Sequence, residues 1–362
     1  MHKFWIIIWL CLVNSLNIYA NSFSINDFYK ENKRLDYVTD SVFNSLNNKQ
    51  KAAQIIMYAV SSTDNVYTYN NSKKLLEDTI ISNVIFLKGY LSNIANQIKD
   101  YNAIQTSFNN IYACDCEPSL FNMKYFGSPN VLKTSQLNSD SLVLDAAKTI
   151  SSVLDKIGIQ INLSPLADNA FNAAVINNRS FGNNIDDIIH RAAQFIDESK
   201  TFNIATTIKH FPGHGNVIGD SHKNLVYING PLKEVPTFYH LIQKSDPVFT
   251  MMGHIAIKDN EQFNTSGLPS SIDRNIVSNL LKNDLGFRGI VITDAMNMLG
   301  VSTIPNADFK ALEAGNDIVL MPKNPRLLSE QIVEELDKQT ALAYQIEDSV
   351  KKMIRLKICL TK

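Results

Sequence analysis

The chain has 362 residues, of which 45% are hydrophobic and 19% are charged, and its formal net charge is −1 at pH 7. That length and apolar content can bury one large core or two modest ones. The near-neutral charge argues against a nucleic-acid partner, which would favour a basic surface.

The N-terminus has the pattern of a secretory signal peptide. Lys3 precedes an apolar block over residues 4–13, and Ala20 precedes polar chain. A basic start, a short apolar block and a small residue at its end are typical of such a leader, and the block is too short for a convincing membrane span. An uncleaved anchor stays open as an alternative, because Ile18 is a poor residue two positions before Ala20. We expect export to the periplasm or the medium, with no stable membrane insertion after cleavage.

Three cysteines remain beyond this leader: Cys114, Cys116 and Cys359. An odd number in an oxidising compartment leaves at least one thiol free. Cys114 and Cys116 flank Asp115 on a predicted strand, so both point away from the face of Asp115 and are poorly placed to bond each other. We interpret them as two buried apolar thiols.

Short apolar, β-branched runs recur along the chain and predict strands. Continuous runs of this kind suit parallel strands that are covered on both faces. The eight runs are 54–60, 83–87, 111–116, 159–164, 205–210, 248–253, 289–294 and 317–322.

Helical patterns lie between these runs, for example over 141–150 and 186–196. The second pattern has acidic residues at its start, as the helix dipole prefers. Eight strands in alternation with helices predict an α/β fold, a (β/α)₈ TIM-like barrel rather than an open sheet. A charged, helix-prone segment over 327–360 should pack on the outside of the barrel.

The densest polar chemistry lies in the stretch Lys209 to His222, which reads KHFPGHGNVIGDSH and follows an apolar run. Pro and Gly break helices and strands, so these side chains sit on a loop at the end of a strand. Three histidines, a lysine and an aspartate on such a loop indicate an active site.

A metal site in this loop is the alternative. His210 and His214 have the spacing of a zinc-binding helix pair, but Pro212 and Gly213 preclude the helix and no Glu follows His210. Because no recognisable ligand set is present, we expect no metal. We interpret His214 as a structural part of the loop that hydrogen-bonds to its backbone.

The loop resembles the signature of glycoside hydrolase family 3, in its β-N-acetylglucosaminidase branch. Its spacing fits that branch without insertion or deletion. Further matches follow in the right order: Asp168, 179–182, 253–254, 293–298 and 314–322. The resemblance runs from about 54 to 322. It implies the same barrel and allows a distorted form with some strands reversed. Together with the leader-like N-terminus, it predicts a signal peptide over 1–20 followed by one catalytic domain over 21–362.

Retaining cleavage of a β-glycosidic bond needs a carboxylate nucleophile and a proton donor. Asp294 closes an apolar run at the strand end where a barrel presents catalytic groups, although an aspartate there also suits a helix cap. Its match with the family motif implies the nucleophile. The resemblance also implies that His222 is the acid/base, because imidazole exchanges protons near neutrality, and that Asp220 orients it. Without the Lys-His motif, the same stretch would be interpreted as a solvated turn.

Substrate-binding residues follow from the same motifs. Lys209, His210 and Arg179 should donate hydrogen bonds to sugar hydroxyls, and Asp115 matches the sugar-binding aspartate of the family. For Arg179 alone, a surface salt bridge would be the default interpretation. We expect Asp168, and His254 in the Gly253-His254 pair, to support the site or to be structural.

One segment departs from the family pattern. Where the family has Asp-Gln-Glu-Gly-Gly-Arg, this chain has Asp-Cys-Glu-Pro-Ser-Leu over 115–120. Both acids remain, but the glycines and the arginine are absent. Pro118 cannot replace the backbone freedom of glycine. We expect a reshaped loop with altered acceptor-side or substituent specificity, or reduced activity.

The resemblance implies a retaining exo-β-N-acetylglucosaminidase that removes terminal GlcNAc from peptidoglycan- or chitin-derived saccharides. It implies a carbohydrate partner and no cofactor, and the charge argues against nucleic acid. The sequence does not give the oligomeric state, for which a monomer is favoured. Relatives usually act in the cytoplasm, in tension with the signal-like start. Phosphorolysis is a minor variant, because a neutral imidazole does not repel phosphate. Two alternatives stay open: a β-glucosidase or xylosidase of the same family, and a catalytically weak sugar-binding protein.

Overall fold

The computed structural model describes residues 23–106, 108–172, 174–217, 219–220 and 223–361. The predicted signal peptide over 1–20 lies outside the described residues. The predicted acid/base His222 also lies outside them.

The chain alternates strands and helices. The strands are β1 (Ile56–Ser61), β2 (Asn83–Tyr90), β3 (Ile111–Cys114), β4 (Tyr125–Phe126), β5 (Ile161–Asn162), β6 (Ala205–Phe211), β7 (Val226–Asn229), β8 (Phe249–Met252), β9 (Ile255–Lys258), β10 (Ile290–Thr293) and β11 (Val319–Leu320). The α-helices are Lys33–Ser45, Asn48–Ala53, Tyr69–Glu77, Leu91–Asn102, Pro118–Lys124, Asp140–Ile157, Ile185–Thr201, Val235–Ser245, Ala307–Ala314, Pro325–Leu336 and Ala341–Leu360, and a π-helix spans Asn275–Asp284.

Within the described residues, eight parallel strands form a barrel in the order β10-β8-β6-β5-β3-β2-β1-β11. A bridge between Ile292 and Ile318 brings the end of this order back to β10. Each of the eight predicted runs overlaps one of these strands, so the barrel prediction is confirmed. All of their pairings are parallel, and the strand reversal that the resemblance allowed does not occur among the described strands.

The barrel strands form because their residues are buried on both faces. All seven residues of β6 and all four residues of β10 are buried. Continuous burial of this kind is the pattern expected when helices cover a parallel sheet. The buried apolar side chains join in one contiguous core.

The helices predicted over 141–150 and 186–196 are confirmed, and both are longer than predicted. The first, Asp140–Ile157, ends at Gly158, whose φ of 86° is the left-handed conformation that favours glycine at this position. The second, Ile185–Thr201, starts after Asn184, whose side chain accepts from the N–H of Asp187.

The C-terminal segment forms two helices rather than one, because the chain turns before Thr340, the N-cap of Ala341–Leu360. This last helix packs on the outside of the barrel, as predicted. Its Arg355 donates to the carbonyl of Phe28 at 2.7 Å. Asn203, just before β6, accepts from the N–H of Ile25 at 2.7 Å and donates to the carbonyl of Cys359 at 3.1 Å. One side chain at the amino end of the barrel therefore joins both ends of the described chain.

A separate two-stranded sheet, not predicted, pairs β7 with β9 in parallel. In β7 the buried residues Val226 and Ile228 alternate with Tyr227 and Asn229, which are exposed. Such alternation is typical of a strand that is covered on one face only.

Cys114 and Cys116 are joined by a disulfide. The expectation that they are poorly placed to bond each other is wrong. It assumed that the strand continues through Cys116, whereas β3 ends at Cys114 and residues 115–117 belong to no strand or helix. Their Cα atoms are 5.5 Å apart, which is an ordinary disulfide separation. Cys359 is a buried free thiol.

In the part of the chain that the structure describes, we find no helix whose length and apolar character would let it span a bilayer.

Candidate active site

A cavity of about 470 Å³ opens at the carboxyl ends of the barrel strands. This is the end at which a barrel of this type presents functional groups. Its walls combine apolar side chains, such as Leu163 and Met251, with charged groups that follow the strands. A cavity of this size with a few convergent polar groups is typical of a small-ligand site.

Five of the residues predicted from the sequence line this cavity: Asp115, Arg179, Lys209, His210 and Asp294. They come from the ends of three strands, β3, β6 and β10, and from the short turn that carries Arg179. Of the described residues, Asp220 is not among those that line the cavity. It lies in the loop after β6, where its carbonyl accepts from the N–H of Lys223 at 3.0 Å. The predicted pairing of Asp220 with His222 stays a prediction, because His222 is outside the described residues.

The charged groups of the cavity form a chain of ion pairs. Lys209 Nζ lies 2.6 Å from Asp115 Oδ1 and 2.6 Å from Glu117 Oε1. The Arg179 guanidinium binds Glu117 with both prongs of its fork, Nε to Oε2 at 2.8 Å and Nη2 to Oε1 at 2.6 Å. Arg179 is therefore not part of a surface salt bridge, because Glu117 is completely buried. This geometry fixes the two cations at the cavity wall.

These pairs keep the groups ionised. Burial alone would raise the pKa of Asp115, but the ammonium groups of Lys124 and Lys209 outweigh it and hold that pKa well below its usual range. Burial would likewise lower the pKa of Lys209, but its carboxylate partners outweigh it and raise that pKa. The cavity therefore presents fixed charges of both signs to a ligand near neutral pH.

Glu117 was not predicted as a site residue. The signal was present, because Glu117 is one of the two acids that remain in the altered 115–120 segment. The sequence did not indicate which cations it meets, since Arg179 and Lys209 are 62 and 92 residues away along the chain.

Asp168 supports the loop from beneath. It is completely buried, and its Oδ2 lies 2.7 Å from His210 Nδ1 and accepts from the N–H of His210 at 3.0 Å. Its Oδ1 accepts from the N–H of His214 at 2.7 Å. One carboxylate therefore orients the His210 ring and fixes the backbone where the chain turns.

His214 has a larger part in the site than predicted. Its backbone carbonyl accepts from Asn172 Nδ2 at 3.2 Å, in line with a structural role. Its ring also lines the cavity. Burial lowers the pKa of His214 to about 4, so the ring is neutral at pH 7. Within the described residues, no group of three or more His, Cys, Asp or Glu side chains could hold a metal ion.

A second buried acid, Glu234, anchors the loop and was also missed. Its carboxylate accepts from the N–H groups of Asn169 at 2.9 Å, Gly215 at 3.3 Å and Asn216 at 2.9 Å. A Cβ on Gly213 would lie 2.5 Å from the Cβ of Glu234, so only glycine fits there. Burial raises the pKa of Glu234, and the donated N–H groups oppose that shift.

The predicted nucleophile Asp294 directly follows β10. Its N–H donates to the carbonyl of Met252 at 2.9 Å, and its Oδ1 accepts from the N–H of Ala295 at 2.8 Å. His254 Nε2 lies 3.1 Å from the carbonyl of Ala295, which places this histidine behind the strand end. The following helix begins only at Ala307, so Asp294 does not cap it.

Comparison with known proteins agrees with this geometry. Residues 48–356 match the model of the glycosyl hydrolase family 3 N-terminal domain. The chain belongs to glycosyl hydrolase family 3. Among curated relatives, this family 3 chain is 27% identical over 259 residues to β-hexosaminidase A of Pseudoalteromonas piscicida, covering 64% of the chain and 43% of that protein. It is 28% identical over 224 residues to a β-hexosaminidase of Actinobacillus pleuropneumoniae serotype 3, covering 60% and 61%. The chain thus spans about half the length of these relatives.

Solved structures share the fold of this family 3 chain. A family 3 β-N-acetylglucosaminidase from Paenibacillus sp. FPU-7 has a TM-score of 0.77 at 23% identity, covering 86% of this chain and 62% of that one. A β-N-acetylhexosaminidase from Beutenbergia cavernae has a TM-score of 0.76 at 22% identity, covering 86% and 99%. The β-glucoside phosphorylase BglX has a TM-score of 0.82 at 18% identity, covering 92% and 62%. At these identities the likeness shows the barrel alone, and it includes proteins of different activities.

Proposed function

We propose that this family 3 protein is an exported, retaining exo-β-N-acetylglucosaminidase that releases terminal GlcNAc from peptidoglycan- or chitin-derived saccharides. The observation that carries the proposal is the convergence of Asp294 with Asp115, Arg179, Lys209 and His210 on one cavity of about 470 Å³. The names of the two curated hexosaminidase relatives support the choice of sugar.

The proposed chemistry takes two steps. In the first, a carboxylate oxygen of Asp294 bonds to the anomeric carbon as the glycosidic bond breaks, and His222 gives its proton to the leaving oxygen. In the second, water attacks the anomeric carbon, His222 takes a proton from that water, and Asp294 leaves as a free carboxylate. Asp220 is proposed to orient the imidazole. No step requires a metal or an organic cofactor.

The cluster around Lys209 is proposed to bind the sugar that is cleaved. Lys209 and Arg179 carry donors, Asp115 carries acceptors, and vicinal hydroxyl groups need both. Because acids already hold these cations in place, binding requires little reorganisation, which favours catalysis.

Export is supported by two observations of different kinds. The leader-like N-terminus predicts it, and the Cys114–Cys116 disulfide is of a kind that persists in oxidising compartments. Fractionation of cells that express the full chain, with N-terminal sequencing of the product, tests this part of the proposal. A product that keeps residues 1–20 and stays in the cytoplasm would overturn it.

The activity is tested by rates on the 4-nitrophenyl β-glycosides of GlcNAc, glucose and xylose, with and without phosphate. We expect turnover of the GlcNAc substrate to exceed the others. Preference for glucose or xylose would favour the β-glucosidase or xylosidase alternative, and acceleration by phosphate would favour phosphorolysis. Binding of GlcNAc without any turnover would favour the sugar-binding protein.

The nucleophile is tested independently by trapping the glycosyl-enzyme with a 5-fluoro sugar and mapping the labelled peptide. The label is expected on Asp294. A label on another residue would refute the assignment even if the enzyme is active.

A further inference from the structure

The segment that departs from the family pattern forms a helix in this protein. Pro118 occupies the first position of the helix Pro118–Lys124. Proline is favoured at that position because its fixed φ suits a helix and its missing N–H would have no intrahelical partner. A helix therefore stands where the family motif has a glycine pair, and Leu120 stands where the motif has arginine.

This helix presents two side chains to the cavity. Leu120 and Lys124 are four residues apart, so they lie on the same helix face, and both line the cavity. The side chain of Lys124 is 29% exposed, and its Nζ lies 2.5 Å from Asp115 Oδ2. The cation that this chain lacks at position 120 is thus present one helical turn later.

The position of Lys124 is fixed at both ends of the helix. Ser119 Oγ donates to the carbonyl of Asn178 at 2.6 Å, next to Arg179. Just after the helix, Tyr125 OH donates to the carbonyl of Phe86 at 2.8 Å and accepts from the N–H of Asp115 at 3.0 Å. Lys124 and Asp115 are therefore held to the same framework.

Asp115 lies between two ammonium groups, which differ in their other contacts. Lys209 contacts Oδ1 and is also paired with buried Glu117. Lys124 contacts Oδ2 from the half-exposed side of the cavity. An ammonium group has three donors, and a carboxylate oxygen accepts more than one hydrogen bond. A hydroxyl group of a sugar in the cavity can therefore contact Lys124 and Asp115 together.

We propose that Lys124 is a substrate-binding residue, which donates to the sugar hydroxyl that Asp115 accepts from and replaces the arginine absent at position 120. The inference rests on the proposed function and adds a specificity-determining contact to it. A compact ammonium contacts one hydroxyl as a point charge, whereas an arginine fork would contact two. With Lys124 in place of an arginine, this wall of the cavity therefore contacts one hydroxyl group of the sugar instead of two.

The test compares Lys124→Met with Lys88→Met. Lys88 lies near the carboxyl end of β2. Its Nζ is 5.5 Å from the centre of the Phe126 ring, and Lys88 does not line the cavity. Loss of a hydrogen bond from a charged donor should raise KM for 4-nitrophenyl β-GlcNAc about tenfold or more, with a smaller effect on kcat. Lys124→Arg should keep most of the affinity, and Lys88→Met should match the wild type.

The pH profile adds a readout that a merely structural lysine would not move. Asp115 faces Lys124, Lys209 and Arg179, with Glu117 and Tyr125 also near it. Removing one of the cations should shift the acid limb of kcat/KM to higher pH. Circular dichroism checks that each variant is folded.

The outcomes separate this inference from the proposed function. If the wild type is active and Lys124→Met matches Lys88→Met in both KM and acid limb, the role of Lys124 is overturned. If the wild type turns over none of the glycosides, the proposed function fails, and calorimetric binding of GlcNAc then decides on Lys124. Weaker binding by Lys124→Met alone supports the inference, and equal binding by both variants overturns it.

Discussion

The two ends of the barrel both bury charged side chains, but they use them differently. At the amino end, Asp317 accepts from the N–H of Val291 at 2.7 Å and from Ser349 Oγ at 2.8 Å, and it pairs with Lys282 at 3.1 Å. At the carboxyl end, the pairs around Lys209 line an open cavity. Burial of charge therefore does not by itself mark a functional site; charge that is fixed by partners and still reaches a cavity does.

The largest expected effect on turnover is that of Asp294, at the carboxyl end of the barrel. Asp294→Ala should lower kcat on the order of 10⁶-fold, as removal of the covalent nucleophile does in a serine protease. Because Asp294 is half-buried at a cavity wall, the substitution should change the unfolding free energy of the protein little. Turnover of 4-nitrophenyl β-GlcNAc and urea unfolding measure the two effects. Asp284→Ala, an exposed aspartate on the π-helix, is the control, and undiminished turnover by Asp294→Ala would refute its role.

At the amino end the expected effect is on stability. Burial would raise the pKa of Asp317, but Lys282 and Lys352 outweigh it and lower that pKa. Asp317→Ala leaves these lysines without their carboxylate and should cost about 3 kcal/mol of unfolding free energy. The folded fraction should keep its kcat/KM. Loss of activity without loss of stability would contradict the division between the two ends.

The disulfide should have a smaller effect, mainly on activity. The two cysteines lie on either side of Asp115, so reduction should loosen the position of that carboxylate and lower kcat/KM. The loss should be smaller than the roughly 100-fold loss that a 1 Å displacement of a positioned group causes. Stability should change little, because the bridge closes a very short loop. The measurement is activity with and without dithiothreitol, and the Cys114→Ser/Cys116→Ser variant should be insensitive to the reductant.

The smallest effect concerns the pH dependence of stability. Burial holds the pKa of Lys357 well below its usual range, so the unfolded chain binds this proton at pH values where the native state does not. Stability should therefore rise with pH between the native pKa and about 10.4, by at most about 1.4 kcal/mol per pH unit. Lys357→Met should flatten this rise, and Lys351→Met on the same helix should not. Equal slopes in the two variants would refute the assignment.

The barrel was predictable because its strands are buried on both faces, and such strands appear in the sequence as continuous apolar runs. β7 was missed because a half-buried strand leaves only a short alternation, as in Val226 to Asn229. β9 was missed because it has only four residues, of which the first three are buried. The disulfide was missed because the predicted strand was two residues too long. This last error concerned where a regular element ends, which the local pattern defines poorly.

The site was predictable where a motif names the residue, as for Asp115, Lys209 and Asp294. Glu117, Glu234 and Lys124 were not assigned, because their partners are distant in sequence or because they lie on a helix that the sequence did not predict. Lys124 shows this most clearly. Its distance of four residues from Leu120 has meaning only once Pro118 is known to begin a helix.

The hydrogen bonds of Asn203 determine where both ends of the described chain lie relative to the cavity. Ile25 and Cys359 both contact this amide at the amino end of the barrel, so both lie on the side opposite the cavity. A bead or a fusion partner attached on that side would leave the mouth of the cavity open to a ligand.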